Sequence, residues 1–270
     1  MSQSDTSPVP PSSNDSQTLD PRKRSLKTAL ICFVLGLMGG GVTGLVMNET
    51  IHFFPVIEPP GLENSQGIYT AEQIQQVEDA HLRADYRNIP LNAGLLGLAV
   101  TACLGLAPGL LRRLPSASVT GLFVGGISGV VAGAGGGVLA VVLREQLQGW
   151  QLLTFEGELH PLKVQLHTMA IQFPVWVGTA TALAITFAVS FNNGRRLFLP
   201  ILGAAVAGWL VSSLLYPTAA SILFTSNNPD MIIPDGFANR LFWGTFTAGL
   251  MGIVVGHRCD AAGPETSLEN

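Results

Sequence analysis

Charge is scarce in this chain. Asp, Glu, Lys and Arg make up 12% of its 270 residues, about half the share of an ordinary soluble domain. The shortage is localised: uncharged runs cover 28–48, 88–111, 114–143, 164–194, 197–229 and 241–257. With 47% hydrophobic residues and a mean hydropathy of +0.40, a soluble globular domain is excluded. Cysteine is also rare. Cys32, Cys103 and Cys259 fall in two apolar runs and the C-terminal tail, so no disulfide framework is expected.

Other absences narrow the chemistry. The runs contain no Asp, Glu, Lys, Arg or His near their centres, which argues against a proton or ion pump. The glycine runs lie inside apolar segments without the Lys, Ser/Thr or acidic companions of phosphate-binding and dinucleotide-binding loops, so no cofactor is expected. A net charge of −4 with no long basic tract gives no footing for nucleic acid. The closely spaced HxH, HxxxH or CxxC ligands of metal sites are missing. Glu78 and His81 do share a helix face at i, i+3, and His52, His160 and His167 also fall among acidic segments. A solvated amphipathic helix lying on the bundle explains the first pair, with Thr70 and Gln73 as its capping box and Ile74, Val77 and Leu82 as its apolar side. No metal is expected.

What is present is enough apolar length to cross a bilayer repeatedly. A helix rises about 1.5 Å per residue and the hydrocarbon slab is about 30 Å thick, so a span needs roughly 20 residues. The sequence predicts an all-α membrane protein with six spans, at about 28–48, 91–111, 118–143, 168–191, 197–216 and 239–257. The last reaches that length only if Ala238, Asn239 and Arg240 sit at the interface. Continuous rather than alternating hydrophobicity favours helices over barrel strands. No small-x-small cleavage site follows the first run, so it is expected to be retained.

Orientation follows the Lys and Arg distribution. With the N-terminus inside, nine basic residues lie on inner segments, including Arg112-Arg113 and Arg195-Arg196 in short turns, and five lie on outer ones. Both termini are expected in the cytoplasm, and the expected location is a bacterial inner membrane. The outer side then carries twelve acidic residues. The organisation is a disordered tail at 1–26, a membrane domain at 27–257 with outer loops 49–90, 144–167 and 217–238, and a tail at 258–270. Tyr86, Trp150, Trp176, Tyr216 and Trp243 are placed as an aromatic belt at the outer boundary, with Trp209 deep.

Self-comparison finds an internal repeat. Residues 34–47 and 119–132 share seven of fourteen positions, among them Gly36 with Gly121, Gly40 with Gly125, and Gly44 with Gly129. A weaker copy at 198–211 keeps Val206 and Gly208. Pro90, Gly94 and Arg112 match Pro174, Gly178 and Arg196 at an offset of 84. Three parallel two-helix hairpin repeats are the expected topology. Small residues recur every four positions in every span: Gly36, Gly40 and Gly44 in the first, and Gly121, Gly125, Gly129, Gly133 and Gly137 in the third. Because lipid is as apolar as Leu, such glycine-zipper stripes supply close backbone packing where hydrophobicity cannot. The glycine-rich third span is expected to be the central helix.

Gly126-Ile127-Ser128-Gly129 resembles the G-x-S-G pattern of rhomboid-type intramembrane serine proteases over four residues, which implies a nucleophile at Ser128. Such a serine needs a histidine base at its own depth, and Ser128 lies roughly 15 Å into its span, far from His257 and His167. Ser128 also aligns with Thr43 in the repeat. Mitochondrial carriers likewise have three two-span repeats, but their charged signature at the ends of odd helices is absent here. The leading expectation is a non-enzymatic membrane subunit or scaffold carrying an acidic outer cap. Its partners would be the lipid bilayer and other membrane subunits or a homo-oligomer. The alternative is a channel or facilitator for a small uncharged solute, with Thr179, Thr181, Thr245 and Thr247 along the path.

Overall fold

The computed structural model describes residues 21–57, 70–154, 161–191, 194–224 and 231–261. Most of the expected N-terminal tail, residues 262–270, parts of the three outer loops and His160 lie outside the described residues. The described chain is helical, without strands: α1 Pro21–Thr50, α2 Ala71–Gly105, α3 Ala107–Arg112, α4 Pro115–Thr154, α5 Pro161–Ser190, α6 Gly194–Leu223 and α7 Phe237–Ala261.

Local chemistry sets several boundaries. Proline opens α1, α4 and α5, where its fixed φ suits a helix and its missing N–H would have had no partner. At α2, the Thr70 hydroxyl accepts from the Gln73 N–H at 3.3 Å and Gln73 Oε1 accepts from the Thr70 N–H at 2.9 Å. The predicted second span is two helices. Pro108 has no N–H to offer the Leu104 carbonyl, so the chain breaks at Leu106 and restarts as α3. Arg113 then takes a left-handed conformation, φ 56°, and the Leu114 N–H closes on the Gly109 carbonyl at 3.0 Å.

Five stretches are long and apolar enough to cross a membrane: Arg24–Thr50, Ala71–Arg112, Pro115–Leu147, Lys163–Ser190 and Arg196–Leu223. α7 is less apolar but packs among them, antiparallel to α1. The chain is a helical membrane protein. Neighbours pack in the order α1, α2, α4, α5, α6, α7 and back to α1, closing a ring, with α2 and α5 also meeting across it. Residues near the two ends of the described chain come together, Ser25 Oγ lying 2.8 Å from His257 Nδ1.

The ring is sorted by side-chain size. On α1, Gly36, Gly40 and Gly44 are buried while Leu30, Val34, Met38 and Leu45 face outward. That distribution inverts the rule for water-soluble helices and fits lipid, which solvates bulky aliphatic groups without cost. The enclosed helices are α5 and α2, with 61% and 56% of their apolar windows buried, against 39% for α4. The glycine-rich third span is therefore not the central one. All but Gly135 of its glycines from 121 to 137 lie on the side toward α2 and α5, and Phe123, Ile127, Val131 and Leu139 share the outward side with Gly135.

The amphipathic segment at 71–87 also differs from expectation. It does not lie on the bundle but continues α2, whose 35 residues exceed the hydrocarbon slab by about 20 Å. α4 is longer still, at 40 residues, and the two are joined beyond the uncharged runs at 88–111 and 114–143. Arg144 pairs with Asp85, and the Tyr86 hydroxyl donates to Glu145 at 3.1 Å.

Candidate functional site

The interior is built from close backbone contacts. A methyl group added to Gly36 would strike the Ala248 carbonyl, and at Gly40 the Gly244 carbonyl. At Gly44 it would meet Leu241, so these three glycines all pack on α7. On α4, Gly121, Gly125, Gly129 and Gly133 pack on the α2 backbone at Gly105, Thr101, Gly97 and Ala93, and Gly137 packs on Pro90. The face one residue round belongs to α5: Gly136 meets the Pro174 carbonyl, and Gly178 meets Ala132. The Thr101 hydroxyl sits in the α2–α4 seam, sharing its proton between the Gly97 carbonyl at 2.6 Å and the Gly125 carbonyl across the interface.

The four threonines named for a solute path lie two on α5 and two on α7, and each hydroxyl has a partner within the protein. Thr179 donates to Val175 O at 3.0 Å, Thr181 to Val177 O at 2.8 Å, and Thr245 to Leu241 O at 2.7 Å. Thr247 shares a proton with Ser212 of α6 at 2.7 Å. These hydroxyls satisfy their own helices or a neighbour. Among the described residues, α5 and α7 do not touch backbone to backbone. Trp176 and Trp243 bridge them instead, edge to face with ring centroids 5.1 Å apart, and the Trp243 indole N–H donates to Gln172 Oε1 at 3.2 Å. Leu96, Val100 and Leu104 of α2, Leu183 and Phe187 of α5 and Met251 of α7 are fully buried.

Trp176, Trp243 and Tyr216 are therefore interior residues, 1–3% exposed, and not a lipid-facing belt. The side chain of Trp150 lies outside the described residues. Trp209 is buried and packs on Phe173, centroids 5.3 Å apart.

The acidic end of the ring carries polar contacts that the sequence did not reveal. Asn88 holds the segment after α1 as a backbone strand would, its Nδ2 donating to Phe54 O at 2.8 Å and its Oδ1 accepting from Phe54 N at 2.9 Å. Asn92 donates to Thr50 O at 3.1 Å and accepts from the Thr50 hydroxyl at 2.7 Å. Tyr216 donates to Asn239 Oδ1 at 2.6 Å. Arg240, placed at the interface from sequence, is 7% exposed; its Nη2 reaches Asn48 Oδ1 on α1 at 3.3 Å, and Asp235 acts on it electrostatically. The only sequence signal was a single Arg at the start of an apolar run, and its α1 partner is 192 residues away.

Ser128 donates to Val124 O at 2.6 Å and lies 3.4 Å from Ala182 O of α5. His257 Nδ1 lies 2.8 Å from Ser25 Oγ, at the basic end of the ring and far along the sequence from Ser128. Glu78 and His81 stand on the exposed part of α2; among the described residues no three His, Cys, Asp or Glu side chains come together as a metal site. The chain matches no family model, no curated protein and no solved structure.

Proposed function

We infer that this chain is a non-enzymatic membrane subunit or scaffold: three two-helix hairpins, locked through small-residue stripes, that hold an acidic cap outside the bilayer. The observation that carries this reading is the Trp176–Trp243 pair, which fills the gap between α5 and α7 where a solute path would have to run. The aligned glycines support the repeat. Gly36, Gly40 and Gly44 pack on the last helix of the third hairpin, as Gly121, Gly125 and Gly129 pack on that of the first. The third copy departs from this pattern, since Gly208 packs on Met251 of its own hairpin.

Basic residues gather at the end where Ser25 meets His257, and this supports an orientation with both termini in the cytoplasm of a bacterial inner membrane. Partners are the bilayer and other membrane subunits or a second copy. The test is osmotic swelling of liposomes containing the protein, in glycerol or urea. A scaffold leaves the rate at that of protein-free vesicles. Faster swelling, abolished by bulky replacements of Thr179 or Thr247, would replace this reading with a facilitator.

A further inference from the structure

We propose that the outward-facing cleft between α2 and α4 is a binding site for an anionic phospholipid, its acyl chain lying in the cleft and its phosphate at Arg113. The cleft has a volume of about 340 Å³ and is lined by Leu98, Ala102, Phe123, Gly126, Ile127 and Val130, almost wholly apolar. It exists because two positions on its floor are small. Gly126 faces Leu98 so closely that a methyl group there would lie 3.2 Å from Leu98 Cδ1, and Ala102 leaves room beside it, while Phe123 and Ile127, 63% and 68% exposed, form a wall.

Charge and length select the occupant. Between Asp85 and Arg144 the sequence has no acidic residue, and its cations after Arg87 are Arg112 and Arg113, at the turn that ends this helix pair. Arg112 is turned toward α5: its guanidinium lies 4.3 Å from the Phe191 ring centroid and meets the Phe191 carbonyl at 3.5 Å. Arg113 is exposed and lies in the turn that leads into α4. The cleft residues on α4 begin at Leu122, seven residues past Pro115, and those on α2 end at Ala102, eleven before Arg113, so the cleft lies about 10–20 Å deeper than the cation. A half-bilayer of hydrocarbon is about 15 Å thick. A lipid with its phosphate at Arg113 thus reaches the cleft with the distal part of one chain. Basic positions at the end of an interhelical groove favour anionic over zwitterionic headgroups.

The inference does not depend on the scaffold reading, since a transporter could carry the same site. Protein purified in detergent is titrated with phosphatidylglycerol and, separately, phosphatidylcholine of the same chains, and lipid adducts are counted by native mass spectrometry. Phosphatidylglycerol is expected to bind more tightly, with Arg113→Gln narrowing the difference roughly five-fold, the effect of one cation near a lipid surface. Ala102→Phe, which fills the cleft from its exposed side, is expected to weaken both lipids. Equal binding of the two lipids to the unmodified protein, or an undiminished preference in Arg113→Gln, would overturn the charge assignment. Full retention of both lipids by folded Ala102→Phe would overturn the cleft.

Discussion

Gly97 of α2 and Gly129 of α4 are each other's nearest obstacle: a methyl group on either would strike the other's carbonyl. The same reciprocity joins Gly105 with Gly121, and Gly40 with Gly244. Where both partners lack a side chain, neither helix can accept one without moving. Gly129→Leu is therefore expected to abolish folded yield, and Gly129→Ala to cost about 1–3 kcal/mol, the range of core overpacking. Gly135, on the same helix with nothing within 4 Å, is the control. Gly135→Ala should be neutral or stabilising by up to about 1 kcal/mol. Thermal melts of the three variants in detergent test this, and equal effects at 129 and 135 would refute the packing geometry.

Thr101 fastens the same seam. Replacement by Val keeps the shape and removes the hydroxyl that serves both Gly97 and Gly125. The expected loss is about 0.6 kcal/mol and no more than roughly 1.7, the measured range for side-chain hydrogen bonds between membrane helices. A steric-trapping or denaturant titration measures it.

Trp243→Phe keeps most of the ring contact with Trp176 but leaves Gln172 Oε1 without its indole donor. About 1–3 kcal/mol should be lost, the usual cost of stranding a buried acceptor. Trp243→Ala should cost about 3–5 kcal/mol by adding a cavity. Liposome swelling should rise in Trp243→Ala if these rings seal the interior; unchanged permeability in a folded variant would show that other side chains close it.

At the junction of α2 and α4 beside the Asp85–Arg144 pair, the Tyr86 phenol titrates above its ordinary value of 10.0, through desolvation first and then the hydrogen bond to Glu145 and its charge. The protonated form is favoured in the folded state, so the contribution is complete below pH 10 and is lost as pH rises through the raised value. A difference titration at the phenolate absorbance, wild type minus Tyr86→Phe, should show one tyrosine ionising late. A midpoint at or below 10 would contradict the contact. Asp85→Asn should weaken the junction by no more than about 1 kcal/mol. That loss should shrink in high salt, because Asp85 is 32% exposed.

The spans were legible because hydropathy is local, and the Thr70–Gln73 cap likewise follows from residues three apart. Glycine periodicity likewise marked which face of α1 and α4 would be buried. It could not say which helix each face would meet. α4 looked central because it holds the most glycine, yet a stripe buries one side only, and its Phe123 and Ile127 side faces lipid. Arg240 looked interfacial because the sixth apolar run reaches bilayer-crossing length only with residues 238–240 at the boundary.

The sequence alone determined that this chain is helical, that it has apolar stretches of bilayer-crossing length, and that bare backbone lies on defined helix faces. Those properties depend on residues within a few turns of one another. Only the tertiary structure decided the ring order, the enclosure of α2 and α5, the interior tryptophan pair and the burial of Arg240 against Asn48. Each of these brings together residues from different helices, and side-chain packing across a closed ring is a property of the whole set of helices that no single segment carries.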